Sequence, residues 1–342
     1  MNESRHINIP IFVPHMGCPH ACIFCDQKRI SGTLTKQSPE LAKDILIKSF
    51  STIEDGSEVE IAFFGGSFTA IPEDEMIAYL ELTKPYIGSG KASGIRLSTR
   101  PDAITPHILD ILEMYKVSTI ELGVQSLDEE VLRESQRGHG IEDVHRACQL
   151  IKQRRISLGI QTMLGLPKDN FQKSLATAKA VIGLKPQMVR IYPAIVLKHT
   201  ALEDYYLKGK YTPLSVDEAV EWCAEILPLY TESGIRILRV GLQGSDTLED
   251  AIVAGPYHPA FGELVESRII CNQIIKKLDK SVSVDSNKGS KDGKKITIIS
   301  NPKLISKIIG QKRANIKAIK KRYNLDEIVI KQNPEQEGFL IK

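Results

Sequence analysis

Strand-like and helix-like segments alternate along most of this 342-residue chain, which restricts it to a parallel sheet with helices packed outside. Ile7 to Val13 is the first apolar run. Ser38-Pro39-Glu40 then supplies an N-cap, a proline for the first helical turn and an early acid, and Leu41, Ile45, Leu46, Phe50 and Ile53 mark one helix face. Val59 to Phe64, Ile95 to Thr99, Thr119 to Val124, Ile156 to Met163 and Met188 to Tyr192 read as further strands. Capping boxes at Ser126 to Glu129 and Ser215 to Glu218 open helices between and after them. Roughly six βα units result, closing either as an open doubly wound sheet or as a full or partial barrel. In both architectures the site lies beyond the C-terminal strand ends. Polar and small residues recur there: Gly65-Gly66-Ser67, Ser98-Thr99-Arg100, Gln125-Ser126 and Gly165-Leu166-Pro167.

Directly after the first run, three of the six cysteines fall within eight residues, Cys18, Cys22 and Cys25. Thiolates suit iron–sulfur clusters, and three from one loop leave one iron of a four-iron cluster open. Tetrahedral zinc is the competing reading, with His15 or His20 as fourth ligand. Cys148, Cys223 and Cys271 read as buried small hydrophobes. The run Pro14 to Cys25, with Phe24 before its last cysteine, resembles the cluster motif of the radical S-adenosylmethionine (SAM) superfamily. That resemblance implies Cys18, Cys22 and Cys25 as ligands of a [4Fe-4S] cluster whose open iron chelates SAM. It also implies an α/β fold, a partial (β/α)6 TIM-like barrel. An electron donor such as ferredoxin or flavodoxin would reduce the cluster, and cleavage of the sulfonium would yield a 5′-deoxyadenosyl radical that abstracts hydrogen.

Gly65 and Gly66 permit close backbone approach, or merely a turn. One βα unit after the cysteine loop, they resemble the family's glycine motif that holds the cofactor's amino group, with Ser67 where a glutamate is often found. Ser98 and Arg100 follow the third strand and are cofactor-binding candidates; Arg100 either pairs with a carboxylate or is a surface residue ahead of Pro101. Gly123 to Asp128 resembles a stretch of the Elongator catalytic subunit and of oxygen-independent coproporphyrinogen oxidase, which makes Gln125 a pocket candidate. Gln161, Gly165 and Leu166 fall where the resemblance places the adenosine, although Met163 and Leu164 are equally suited to barrel core. Arg137-Gly-His139 is similar to the same families, leaving His139 as a substrate-wall candidate or a structural histidine. Gly255 to Arg268 resembles a segment that follows the Elongator radical domain; its Tyr257 and His258 are candidates for a substrate wall, or part of a helix-entry turn.

The net charge of +3 conceals a division: residues 276–342 carry a balance of +10 and residues 1–275 one of −7. A basic tail on an acidic body points to a polyanionic partner, or serves only solubility. Within the tail, Lys307 to Ile319 resembles the KH motif, whose Gly-x-x-Gly loop grips single-stranded nucleic acid. Gly310-Gln-Lys-Arg313 keeps the first glycine and replaces the second, so Lys307, Gly310, Lys312, Arg313 and Lys317 are nucleic-acid candidates, against a solubilising helical hairpin. The expected divisions are a barrel over 1–235, an Elongator-like extension over 236–278, a linker or hairpin over 279–294 and a basic KH-like α+β module over 295–342.

No window approaches the ~18 to 20 apolar residues of a membrane span, and the start lacks a secretory pattern, so a reducing cytoplasm is expected. The chain ends with no room for the acetyltransferase domain of the Elongator subunit, so acetyl transfer is not expected. The leading expectation is a radical SAM enzyme that modifies an RNA, transfer or ribosomal. The alternatives are a radical SAM enzyme acting on a small molecule, such as a porphyrinogen, and a noncatalytic RNA-binding protein with a structural metal site.

Overall fold

A computed structural model of the chain describes residues 6–13, 22–26, 38–54, 56–282 and 295–342. Two compact units form, Met1–Ser215 with Leu229–Tyr257 and Val216–Pro228 with His258–Lys342.

In the first unit the apolar runs become β1 (His6–Val13), β2 (Glu58–Gly65), β3 (Gly94–Thr99), β4 (Val117–Gln125), β5 (Ser157–Leu164) and β6 (Met188–Pro193). A short β7 (Val196–Leu197) follows, then β8 (Arg236–Val240) and β9 (Ile252–Ala254). One sheet runs β1-β2-β3-β4-β5-β6-β8, every pair parallel. A doubly wound sheet reverses its order at a switch point; this one never reverses, so right-handed crossovers put the helices on a single face. Ile11, Ile61, Leu97, Ile120, Leu122, Ile160 and Ile191 lie buried on that face. The sheet curls round the other. Arg190 of β6 lies 5.5 Å from the ring centre of Phe64 on β2, although four strand spacings of about 4.8 Å would separate those strands in a flat sheet. The result is a parallel half-barrel, the partial barrel expected, with a seventh strand beyond the six units read in the sequence.

Two local expectations shift. The second predicted helix start is capped by Asp128, which accepts from Val131 N at 3.0 Å, while Ser126 supports Asp128 N at 3.1 Å; the cap lies two residues beyond the predicted box. Leu41 is 41% exposed because the helix Pro39–Phe50 buries Ala42 and Leu46 instead.

Charge fills the lower interior of the half-barrel. Arg96 donates to Glu60 through Nε (3.1 Å) and Nη2 (2.7 Å), and through Nη1 to Glu121 at 3.0 Å. Arg190 pairs with the same Glu121. Burial opposes the charge on Glu60, but Arg96, Ser118 and His6 overcome it and hold its carboxyl below the usual range. Two cations and two anions thus satisfy one another, which a buried charge requires.

In the second unit, β10 (Lys295–Ser300) is central, parallel to β11 (Glu327–Gln332) and antiparallel to β12 (Phe339–Ile341). Helices Ile305–Ile309 and Ala314–Tyr323 stand between β10 and β11, giving the order β-α-α-β-β. The helix Phe261–Val282 shares their core: Ile270, Cys271, Ile274 and Leu278 pack with Ile298, Ile308, Ile319 and Phe339. The expected linker therefore begins in helix, and its remainder, 283–294, lies outside the described residues. Among the described residues no helix is long and apolar enough to cross a membrane.

Candidate functional site

The cysteine loop follows the C-terminal end of β1. Cys18, with His15 and His20, lies outside the described residues; Cys22 is buried and Cys25 half-buried. Cys25 N donates to Cys22 O at 3.1 Å, closing a turn. Ile23 between them is held on both sides, donating to Ser135 O (3.3 Å) and accepting from Leu202 N (2.8 Å). Its side chain joins Phe24, Val131, Leu166, Val196 and Tyr211 in one apolar cluster. Cys22 belongs to that cluster and Cys25 packs against it, so burial fixes residues 22–25. Arg137 Nη1 donates to Cys22 Sγ at 3.0 Å. Among the described residues no three His, Cys, Asp or Glu side chains gather as a metal site.

The strand-end residues come together round this loop's edge of the sheet. Gly65 has φ 107°, and a Cβ there would lie 3.0 Å from Val13 O, so only glycine allows β1 and β2 to end so close together. Gly66 is half-buried and follows directly. Ser67 Oγ bonds Thr99 Oγ1 at 2.8 Å and accepts from Arg100 N at 3.1 Å, tying the ends of β2 and β3 together. Ser98 is half-buried on the inner face. At Gln125 the register slips and φ reaches 68°, a bulge that re-aims the side chain. Gln161 Nε2 donates to Gln125 Oε1 at 3.2 Å. Gly165 (φ 73°) and buried Leu166 begin the loop after β5; Tyr211 Oη donates to Gly165 O at 2.6 Å, and Asp169 accepts from Gly165 N at 2.8 Å.

Arg100 does meet a carboxylate, that of Asp102, donating from Nε to Oδ1 and from Nη2 to Oδ2, each at 3.0 Å. It is buried and not the surface arginine of the alternative reading. His139 is buried beside the same pair, its Nδ1 4.0 Å from Asp102 Oδ1. Burial first, then Arg137 and Arg100, pull its pKa down to about 4. Tyr257 packs with Ile195, Leu197 and Leu248, and its hydroxyl donates to Glu249 at 2.6 Å. That bond first, and then burial, push its pKa up to about 12. His258 Nδ1 accepts from Ala260 N at 3.1 Å, as a helix-entry turn would.

In the second unit, Gly310 has φ 74°, and Lys312 (φ 51°) and Arg313 (φ 62°) are both left-handed. Lys312, Arg313 and Lys317 are exposed. Lys307 is half-buried and pairs with Glu266 at 2.5 Å, while its carbonyl accepts from Ser267 Oγ and Asn315 Nδ2.

Against known proteins, residues 12–181 match the model of the radical SAM superfamily and residues 186–270 that of the radical SAM C-terminal domain. The uncharacterized protein MJ0486 of Methanocaldococcus jannaschii is 30% identical over 236 residues, covering 66% of this chain and 72% of that one. The chain belongs to the radical SAM superfamily. A tRNA uridine(34) acetyltransferase of the same organism is 24% identical over 291 residues, 72% of this chain and 52% of its own length. This chain therefore spans about half of that relative. The solved structure of Methanocaldococcus infernus Elp3, with an N-terminal deletion, superposes with a TM-score of 0.63 at 21% identity, over 81% of this chain and 64% of that one.

As a radical SAM enzyme the chain uses a [4Fe-4S] cluster and SAM. Its described residues fit both. Thiols are the donors an iron–sulfur cluster needs. Arg100 Nη1 and Arg137 Nε, in the group behind Cys22, are buried without a hydrogen-bond partner. The radical SAM sequence motifs do not reveal Arg137's contact with Cys22, which joins positions 115 residues apart. Asp169 carried a usable signal, an Asx residue just before a helix.

Proposed function

We propose that this radical SAM enzyme modifies an RNA, in a reducing cytoplasm and with electrons from a low-potential donor such as ferredoxin or flavodoxin. The observation that carries the reading is the Gly310–Arg313 loop, with Lys312 and Arg313 exposed and left-handed, in a β-α-α-β-β module on the same chain as the radical half-barrel. The +10 balance of residues 276–342 and a relative named for a tRNA uridine support it. Acetyl transfer is no part of the proposal.

Cys18, Cys22 and Cys25 would hold the cluster; Gly65, Gly66, Ser67, Gln125, Gln161 and Gly165 would shape the cofactor's bed. When bound, the cluster and SAM supply a carbon radical able to abstract hydrogen from an unactivated position. The chain's own work is orientation and exclusion of water: the apolar packing of Ile23, Phe24 and Leu166 closes the loop's rear, and the Arg190–Phe64 stack floors the interior.

Anaerobic reconstitution should give about four irons per chain, and Cys22→Ala should lose them. Nucleosides of total RNA from a strain lacking the gene, compared by mass spectrometry with a complemented strain, should lack one modified nucleoside. Identical profiles would hand the lead to the small-molecule reading, and one zinc without iron would end the radical one.

A further inference from the structure

Arg137 and Cys22 are buried, 6% and 8% exposed, and the guanidinium reaches the sulfur at 3.0 Å. Several supports hold it there. Nη2 donates to Gly123 O, and a Cβ on Gly123 would come within 3.3 Å of that nitrogen. The backbone is pinned between left-handed Gln136 (φ 53°) and Gly138 (φ 74°). Arg137 N donates to Leu132 O at 3.1 Å, and Arg100 Nη2 donates to Arg137 O at 2.7 Å. Asp102 takes up the charge of Arg100, whereas among the described residues no carboxylate forms an ion pair with Arg137. A buried cation needs a compensating anion, and a cluster bound through Cys22 is one.

We propose that Arg137 is a positioning residue that holds the Cys22 sulfur and raises the reduction potential of the cluster bound there. This rests on the reading above that Cys22 is a cluster ligand. One-electron reduction adds a negative charge to the cluster, so a nearby cation and an N–H···S bond stabilise the reduced form more than the oxidised one. Arg137 itself exchanges neither proton nor electron; the electron comes from the external donor.

The test uses the full chain, reconstituted anaerobically, with iron and sulfide counted before a redox titration followed by electron paramagnetic resonance. Arg137→Met keeps the stem and loses the charge and donors; Arg137→Lys keeps the charge without the fork. At a fixed potential the ratio of reduced to oxidised cluster should fall about tenfold in Arg137→Met, which is about 59 mV for a one-electron couple, and less in Arg137→Lys. A wild-type potential in Arg137→Met with its full iron would overturn the proposal. Should that variant not retain iron, Gly123→Ala crowds the fork while keeping the charge, and its potential should fall too. Wild-type potentials in both Gly123→Ala and Arg137→Lys would then overturn it. Failure of the wild-type chain to hold four irons removes the underlying reading instead, and shows before any variant is titrated.

Discussion

His139 stays neutral across the ordinary working range of pH because burial, then Arg137 and Arg100, pull its pKa down to about 4. In the unfolded chain it titrates near 6.5. As pH falls, the unfolded state therefore takes up the proton first. The contribution of this site to stability is complete above about pH 6.5 and is lost progressively towards pH 4; that separation is worth about 3 kcal/mol at most. The ring is fully shielded, so solvent screening does little to reduce it. Denaturant unfolding at pH 7.5 and 4.5 should show the loss, and His139→Gln should flatten it. An equally steep fall in the variant would assign the acid sensitivity to other groups. A histidine in a family-like tripeptide was visible in the sequence; that it stands behind the loop, beside two guanidinium groups, was not, since Arg100 and His139 meet only through tertiary packing.

The loop after β5 is an element held by the Asp169 carboxylate together with Tyr211. Asp169 Oδ2 accepts from Gly165 N (2.8 Å) and Ser174 Oγ (2.7 Å), while Oδ1 accepts from Asn170 N (2.8 Å). Burial still raises its pKa, because those bonds do not fully offset desolvation. Asp169→Ala would leave buried donors unpaired, at a cost of about 1–3 kcal/mol. It should also weaken SAM binding several-fold by equilibrium dialysis, with Asp169→Asn closer to wild type; wild-type affinity in the alanine variant would place the cofactor away from this loop. At the same scale, β1 to β6 were legible because each is an apolar run bounded by turn residues. β8, Arg-Ile-Leu-Arg-Val, gives no such signal, because its arginines break the apolar run. Nor does periodicity carry strand order, which is what separates a curled sheet from a doubly wound one.

At the scale of the whole molecule, the small module tests the RNA reading. The KH-like loop lacks its second glycine, yet Arg313 at that position is left-handed, as is Lys312. Each non-glycine residue held there costs on the order of 1–2 kcal/mol, and such strain concentrates at functional sites. A truncation at residue 280 would strip Ile270, Ile274 and Leu278 of their partners on β10, β12 and the module's two helices, so point variants report more cleanly. Lys312→Ala with Arg313→Ala removes two exposed cations. If both meet phosphates of a single strand, affinity for RNA should fall, and the slope of log affinity against log salt should flatten by about 1.4, roughly 0.7 per contact. Lys307→Ala should leave the slope alone and lower stability instead, since that side chain already pairs with Glu266. Binding measured at two salt concentrations separates these outcomes. Equal affinity and slope for wild type and the double variant would make the loop a solvated turn, whose strain then serves only the packing of Asn315 against Ser267 and Lys307.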